Sequence, residues 1–240
     1  MRLLLFPYAG GNAHVYRPLL KALPSFIEPV CIEYPGRGQR IKERCLRDMQ
    51  RLAESCFNQL FQQSQLQGDY AIYGHSMGAI VAYLVTQHVQ GHYLPLPKRL
   101  FVSGKSAPQL HVSKQRHLLA SDELWALLGS MGGTAAEISQ HAELKAFLEP
   151  VLRADFEALD TWGYQEESPL PVPISAAVGR EEGISISDVE GWANRTTKSF
   201  DWQHVPGNHF FIFDQSEWMG QWFGEALQTS SDMPSAPLNA

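Results

Sequence analysis

Cysteine is scarce in this chain: Cys31, Cys45 and Cys56 are the only three in 240 residues. An odd count leaves one unpaired in any disulfide scheme, and none of the three has metal-ligand spacing. That excludes a disulfide scaffold and a zinc module, and it reads as reduced thiols in a cytoplasmic protein. A basic excess is also missing, with 19 Lys and Arg against 25 Asp and Glu and a net charge of −6. A nucleic-acid binder carries the opposite balance, and no Lys/Arg cluster marks an anionic membrane surface. The longest apolar run, Ala79 to Val85, falls well short of the ~20 residues that span a bilayer. The apolar stretch after Arg2 stops at Pro7. It is too short for a signal-peptide core, so the chain is expected to begin inside the fold. There is no internal repeat.

What is present is enough apolar material for a core: 44% hydrophobic and 11% aromatic residues. At this length, one domain is expected. Short apolar runs at 3–6, 30–33, 70–73, 100–103, 174–178 and 200–205 read as strands. Helical patterns separate most of them, over 14–23, 49–63 and 77–88. This alternation predicts an α/β fold, a mostly parallel twisted sheet with helices on both faces. From about 113 to 165 no strand signal occurs. Instead a helix start at Ser121, which reads as its cap, is followed by a helical pattern over 141–164 containing Pro150. Such an insertion over the C-terminal edge of a parallel sheet would act as a lid. The expected organisation is one domain over 1–228 and a frayed tail over 229–240, rich in Ser, Pro and Asn.

Gly74-His75-Ser76-Met77-Gly78 fits G-x-S-x-G, with a strand before it and a helix after it. A sharp strand-to-helix turn lifts the serine oxygen above the sheet edge and crowds the backbone, which requires glycine on both sides. Ser76 is therefore the candidate nucleophile, and the Met77 amide at the helix N-terminus is a candidate oxyanion donor. Of nine histidines, His209 follows the last strand, where the base of such a site sits. His14, His88, His92, His111, His117 and His141 read as solvated, and His75 is expected to point away from the reacting centre. The acid should follow the strand 174–178. The loop there, Gly179-Arg180-Glu181-Glu182-Gly183, has no Asp, which leaves Glu182 as the first candidate and Glu181 as the alternative. Asp188 reads instead as the first turn of a helix, with capping-box spacing between Ser187 and Glu190. The loop Tyr8-Ala9-Gly10-Gly11 is placed to supply a second oxyanion donor, the Ala9 amide. Tyr8, Met131, Phe156 and Phe210 are candidate substrate-binding residues.

The chain resembles the stand-alone type II thioesterases of polyketide and nonribosomal peptide synthetases, over about residues 2–228. The resemblance rests on Phe6-Pro7-Tyr8-Ala9-Gly10-Gly11, on Tyr34 to Arg40 (Y-P-G-R-G-Q-R) and on the serine motif. It also rests on Gly132-Gly133-Thr134, Leu152-Arg153-Ala154-Asp155-Phe156, Gly191-Trp192 and Pro206 to Phe211. It implies an α/β-hydrolase fold with a helical lid. It also implies hydrolysis of acyl thioesters on the phosphopantetheine arm of acyl or peptidyl carrier proteins, which edits stalled synthetases. No metal or dissociable cofactor is implied, because the phosphopantetheine belongs to the carrier. A monomer is the default. The family usually has Asp where this chain has Glu182, and often Gly where it has Asn208. Two other readings share the sequence: a generic carboxylesterase or peptidase on the same fold, and a degenerate hydrolase that binds acyl carriers without turnover.

Overall fold

The structure is a computed structural model, and it describes residues 1–132, 138 and 140–228. Gly133, Thr134 and the segment 229–240 lie outside the described residues. In chain order the elements are β1 (Arg2–Phe6), α1 (Arg17–Ala22), β2 (Glu28–Cys31), α2 (Met49–Gln62), β3 (Tyr70–His75) and α3 (Met77–Gly91). Then come β4 (Leu100–Ser103), α4 (Ser121–Met131), α5 (Ala142–Thr161), β5 (Ile174–Gly179) and α6 (Ile186–Glu190). The chain continues through β6 (Phe200–Val205), α7 (Phe211–Asp214) and α8 (Ser216–Gln228).

The six strands form one sheet in the order β2-β1-β3-β4-β5-β6, and every neighbouring pair is parallel. Strand order reverses between β1 and β3. In an open parallel sheet a crevice opens at the C-terminal ends of such a pair. The loop after β1 and the turn after β3 therefore meet there. Alternation along β1 sends Leu3 and Leu5 to the face packed by α1 and α8, and Leu4 and Phe6 to the face packed by α2 and α3. Burial on both faces explains why β3 and β4, buried throughout, are apolar up to their C-terminal ends rather than alternating. Between β4 and β5, α4 and α5 share a separate small core of Leu124, Trp125, Leu128, Leu152 and Phe156.

The departures from the sequence expectations are local. β2 runs over 28–31 rather than 30–33 and contains Pro29. It is an edge strand, where the missing N–H faces away from the ladder. The 14–23 pattern splits into a 3₁₀ turn (Ala13–Tyr16) and α1, with Pro18 in the first turn of the new helix. Ser121 does not cap α4. Ala120 takes that position, its N–H donates to Glu123 at 3.0 Å, and the Ser121 hydroxyl reaches Glu149 of α5 at 2.6 Å. The cap of α6 is Ser185, which accepts from the Asp188 N–H at 3.1 Å. The box therefore pairs 185 with 188 rather than 187 with 190. Pro150 lies inside α5, where the exposed face before it gives way to a buried segment, Val151 to Asp160. No helix among the described residues is long and apolar enough to cross a membrane.

Candidate active site

β3 ends at His75 and α3 begins at Met77, so Ser76 alone makes the turn. Its backbone takes φ 56° and ψ −117°, held by donation of its N–H to Ser103 O at 2.8 Å. A non-glycine residue in this region stores about 1–3 kcal/mol of strain. Crowding explains the flanking glycines. A Cβ on Gly78 would lie 2.1 Å from Phe6 O, and one on Gly74 would lie 2.1 Å from Gly78 O. Gly78→Ala should destabilise the fold by about 3 kcal/mol, since the clash is with backbone rather than a movable side chain. A denaturant midpoint equal to wild type would show that α3 does not approach the end of β1 as closely as this.

His209 sits in the loop between β6 and α7. Its Nε2 lies 3.0 Å from Ser76 Oγ. The loop is shaped by Asn208, whose carbonyl and side-chain oxygen accept from Phe211 N and Phe210 N. The β5 loop is laced to it, with Arg180 N donating to Val205 O and Glu181 N to Gly207 O. Gly179 lets the two loops touch, since a Cβ there would meet Gly207 O and Asn208 O at 2.5 Å. This contact brings Glu182 Oε2 to 3.6 Å from His209 Nδ1, with the Glu182 side chain 1% exposed. Neither Glu182 oxygen has a hydrogen-bond partner among the described residues. Glu181 is exposed.

The two candidate oxyanion donors lie at the start of α3 and in the loop after β1. Met77 opens α3, where an N–H has no acceptor within the helix. Ala9 lies in the Tyr8–Gly11 turn, closed by Gly11 N donating to Tyr8 O at 2.9 Å. A cavity of about 600 Å³ opens on Ser76 and His209, and Lys105, Met131, Glu182 and Asn208 also line it. Met131 is thus in the wall. Phe156 lies instead in the α4–α5 core, 3% exposed beneath the Arg116 guanidinium. Tyr8 and Phe210 pack edge-on to each other at 5.0 Å in an aromatic group with Phe213 and His75. Burial pushes the Tyr8 phenol up to about 12. Among the described residues no group of three or more His, Cys, Asp or Glu is arranged to hold a metal.

Three features correct or extend the sequence expectations. His75 does not point away from the reacting centre. Its ring lies 5.0 Å from that of His209, and its Nδ1 is 2.8 Å from Ser103 Oγ, which also meets the Tyr73 hydroxyl. His75 shares a face of β3 with Tyr73, and α7 packs on that face, so the loop carrying His209 crosses it. Burial, reinforced by repulsion from His209, lowers its pKa well below the usual imidazole value, so it stays neutral. His111 is not simply solvated. Its Nε2 meets Leu159 O at 2.8 Å and its Nδ1 meets Lys105 Nζ at 3.1 Å. Burial and the neighbouring Lys105 lower His111 to about 4. Burial, with Arg116 and Lys114 nearby, lowers Lys105 to about 8. Third, Arg37 and Asp155 form a buried bidentate pair at 2.6 Å. Their separation of 118 residues hides it from any local pattern.

Comparison with known proteins shows the family of the chain. The family model described as thioesterase domain matches residues 1–220. The gramicidin S biosynthesis protein GrsT of Aneurinibacillus migulanus is 33% identical over 216 residues, 89% of this chain and 84% of GrsT. The solved structure of RedJ, a thioesterase from the prodiginine pathway of Streptomyces coelicolor, is 35% identical with a TM-score of 0.88, covering 94% of this chain and 85% of RedJ. YbtT, a type II thioesterase from the yersiniabactin NRPS/PKS pathway, is 25% identical with a TM-score of 0.86, covering 95% of this chain and 93% of YbtT. This chain belongs to the thioesterase-domain family and has the α/β-hydrolase fold of that family's solved members.

Proposed function

We propose that this chain is a serine thioesterase that releases acyl groups from the phosphopantetheine arms of acyl or peptidyl carrier proteins. In this role it edits misprimed or stalled synthetases of secondary-metabolite assembly. The observation that carries this reading is the 3.0 Å contact between His209 Nε2 and Ser76 Oγ at a strained elbow in a thioesterase-family chain. The pathways named for GrsT, RedJ and YbtT support the carrier-bound substrate.

In the mechanism, His209 takes the Ser76 proton as the oxygen attacks the thioester carbonyl. The Ala9 and Met77 amides hold the resulting oxyanion. Collapse expels the pantetheine thiolate, protonated by His209, and leaves an acyl-Ser76 ester. Water, deprotonated by His209, then releases the acid. Glu182, through Nδ1, holds the imidazole in the tautomer that presents a bare Nε2 to the serine. The two steps need no metal or dissociable cofactor. The helical insertion between β4 and β5 serves as a lid over the cavity, and the enzyme acts in the cytoplasm as a monomer.

A fluorophosphonate probe should label Ser76 stoichiometrically, and the Ser76→Ala variant should stay unlabelled. With acyl groups loaded on carrier protein, acid release should exceed that from matched oxygen esters. Faster turnover of the oxygen esters would favour a general esterase, and no labelling at Ser76 would remove the catalytic reading.

A further inference from the structure

Backbone groups of the loop after β1 are taken one after another. The Tyr16 hydroxyl donates to Phe6 O at 2.6 Å, and the Tyr34 hydroxyl donates to Pro7 O at 2.9 Å. Gly11 N donates to Tyr8 O, and Arg37 Nη1 donates to Gly11 O at 3.2 Å. Gly10 N donates to Asp155 Oδ2 at 2.7 Å. The Ala9 N–H, at the centre of this series, has no partner among the described residues. Asp155 is not part of the loop or of the sheet. It belongs to α5, inside the helical insertion. One turn earlier on the same helix, Leu152 presses on Gly10, where a Cβ would come within 2.4 Å of its Cδ2. Gly10 has φ +78°, so the position suits glycine on conformational grounds as well.

We propose that Asp155 is a positioning residue for the oxyanion hole. Held by Arg37, it pins the Gly10 amide and so fixes the peptide next to the one whose N–H receives the oxyanion. This rests on the reading of Ala9 as an oxyanion donor. The electrostatics require a pair rather than a lone acid. A bare carboxylate beside the oxyanion loop would repel the charge that develops there. Arg37, bidentate at 2.6 Å and 7% exposed, cancels it while adding a grip on Gly11 O. The lid helix is thereby bolted to the catalytic loop. The segment of α5 after Pro150 behaves as part of the core, and any opening falls to the elements before it.

Oxyanion donors act only when they are held where charge develops, and removal of one costs about 10²–10³ in kcat. Release of the Gly10 pin should cost a part of that. The Arg37→Met/Asp155→Leu double variant replaces the buried pair by apolar groups, a change that usually preserves stability. Its kcat on acyl-carrier thioester should fall about 10–100-fold, with KM within about two-fold. Affinity for a trifluoromethyl ketone, which forms an oxyanion on the serine, should fall in proportion. Asp155→Asn keeps an oxygen for Gly10 N but loses the charge opposite Arg37. It should be less stable yet retain kcat within about three-fold, a rescue that a purely structural role does not give. Rates are taken per fluorophosphonate-titrated Ser76, so misfolded protein does not enter the comparison. A double variant with wild-type kcat and ketone affinity overturns the proposal, as does an Asp155→Asn variant that is as impaired as the double. If wild type itself neither labels at Ser76 nor releases acid, the functional reading fails instead.

Discussion

His209→Ala should lower kcat for carrier-bound thioester hydrolysis by about 10⁴–10⁶ while KM changes little. An unassisted serine hydroxyl is almost wholly protonated at neutral pH, and Nε2, 3.0 Å from Ser76 Oγ, is the base within reach of its proton. His75, although its ring is 5.0 Å away, cannot substitute. Its Nδ1 is engaged by Ser103 and the ring is fully buried. The same imidazole must protonate the leaving thiolate and activate water, so both steps fail together. Because nucleophile and base act as a unit, Ser76→Ala should cost about as much, and the double variant should be no worse than either single one. The residual rate would come from the Ala9 and Met77 amides and from binding. Single-turnover acid release from acetyl-carrier protein measures it. Activity within tenfold of wild type in His209→Ala would mean that another base serves Ser76.

Glu182→Gln should lower kcat by about 10²–10⁴, whereas Glu181→Gln should leave it within about three-fold. The two glutamates are adjacent in sequence but differ in setting. Glu182 is buried, with Oε2 3.6 Å from His209 Nδ1, while Glu181 is exposed at the cavity mouth. A buried carboxylate with no hydrogen-bond partner is costly unless something compensates it, and here a cation forms beside it whenever His209 takes the serine proton. At 3.6 Å the contact is longer than a hydrogen bond, as is common before substrate tightens such a site. Glutamine keeps the shape but removes the charge, and its amide can present an N–H to Nδ1, which favours the wrong tautomer. Equal, small losses at both positions would show that neither acid orients the imidazole.

Much of this was legible in the sequence because it is local. G-x-S-x-G between a strand and a helix marks an elbow, since only glycine tolerates the 2.1 Å approaches at 74 and 78. The parallel sheet was legible from apolar runs separated by helices. Pro29 obscured the start of β2, because a sequence does not say which strand will be an edge. The caps at 120 and 185 were missed because Ser121 and Ser187 had other partners, Glu149 and the Ser185 hydroxyl. The contacts that no local pattern carries are the long-range ones. Asp155 reaches Gly10 across 145 residues, and the packing of His75 under His209 depends on the loop after β6. Phe156, a substrate-binding candidate whose helical spacing also suits a helix core, packs with α4 in the core, a placement that depends on a neighbouring helix.

The positive φ of Ser76 bears on how such a chain would change over time. Glycine would relax that turn at no steric cost, so drift governed by folding alone runs toward losing the hydroxyl. Ser76 is a residue that folding would discard and that the proposed chemistry cannot do without. Its presence at the least comfortable backbone position of the elbow is therefore a sign of use that can be read from one molecule.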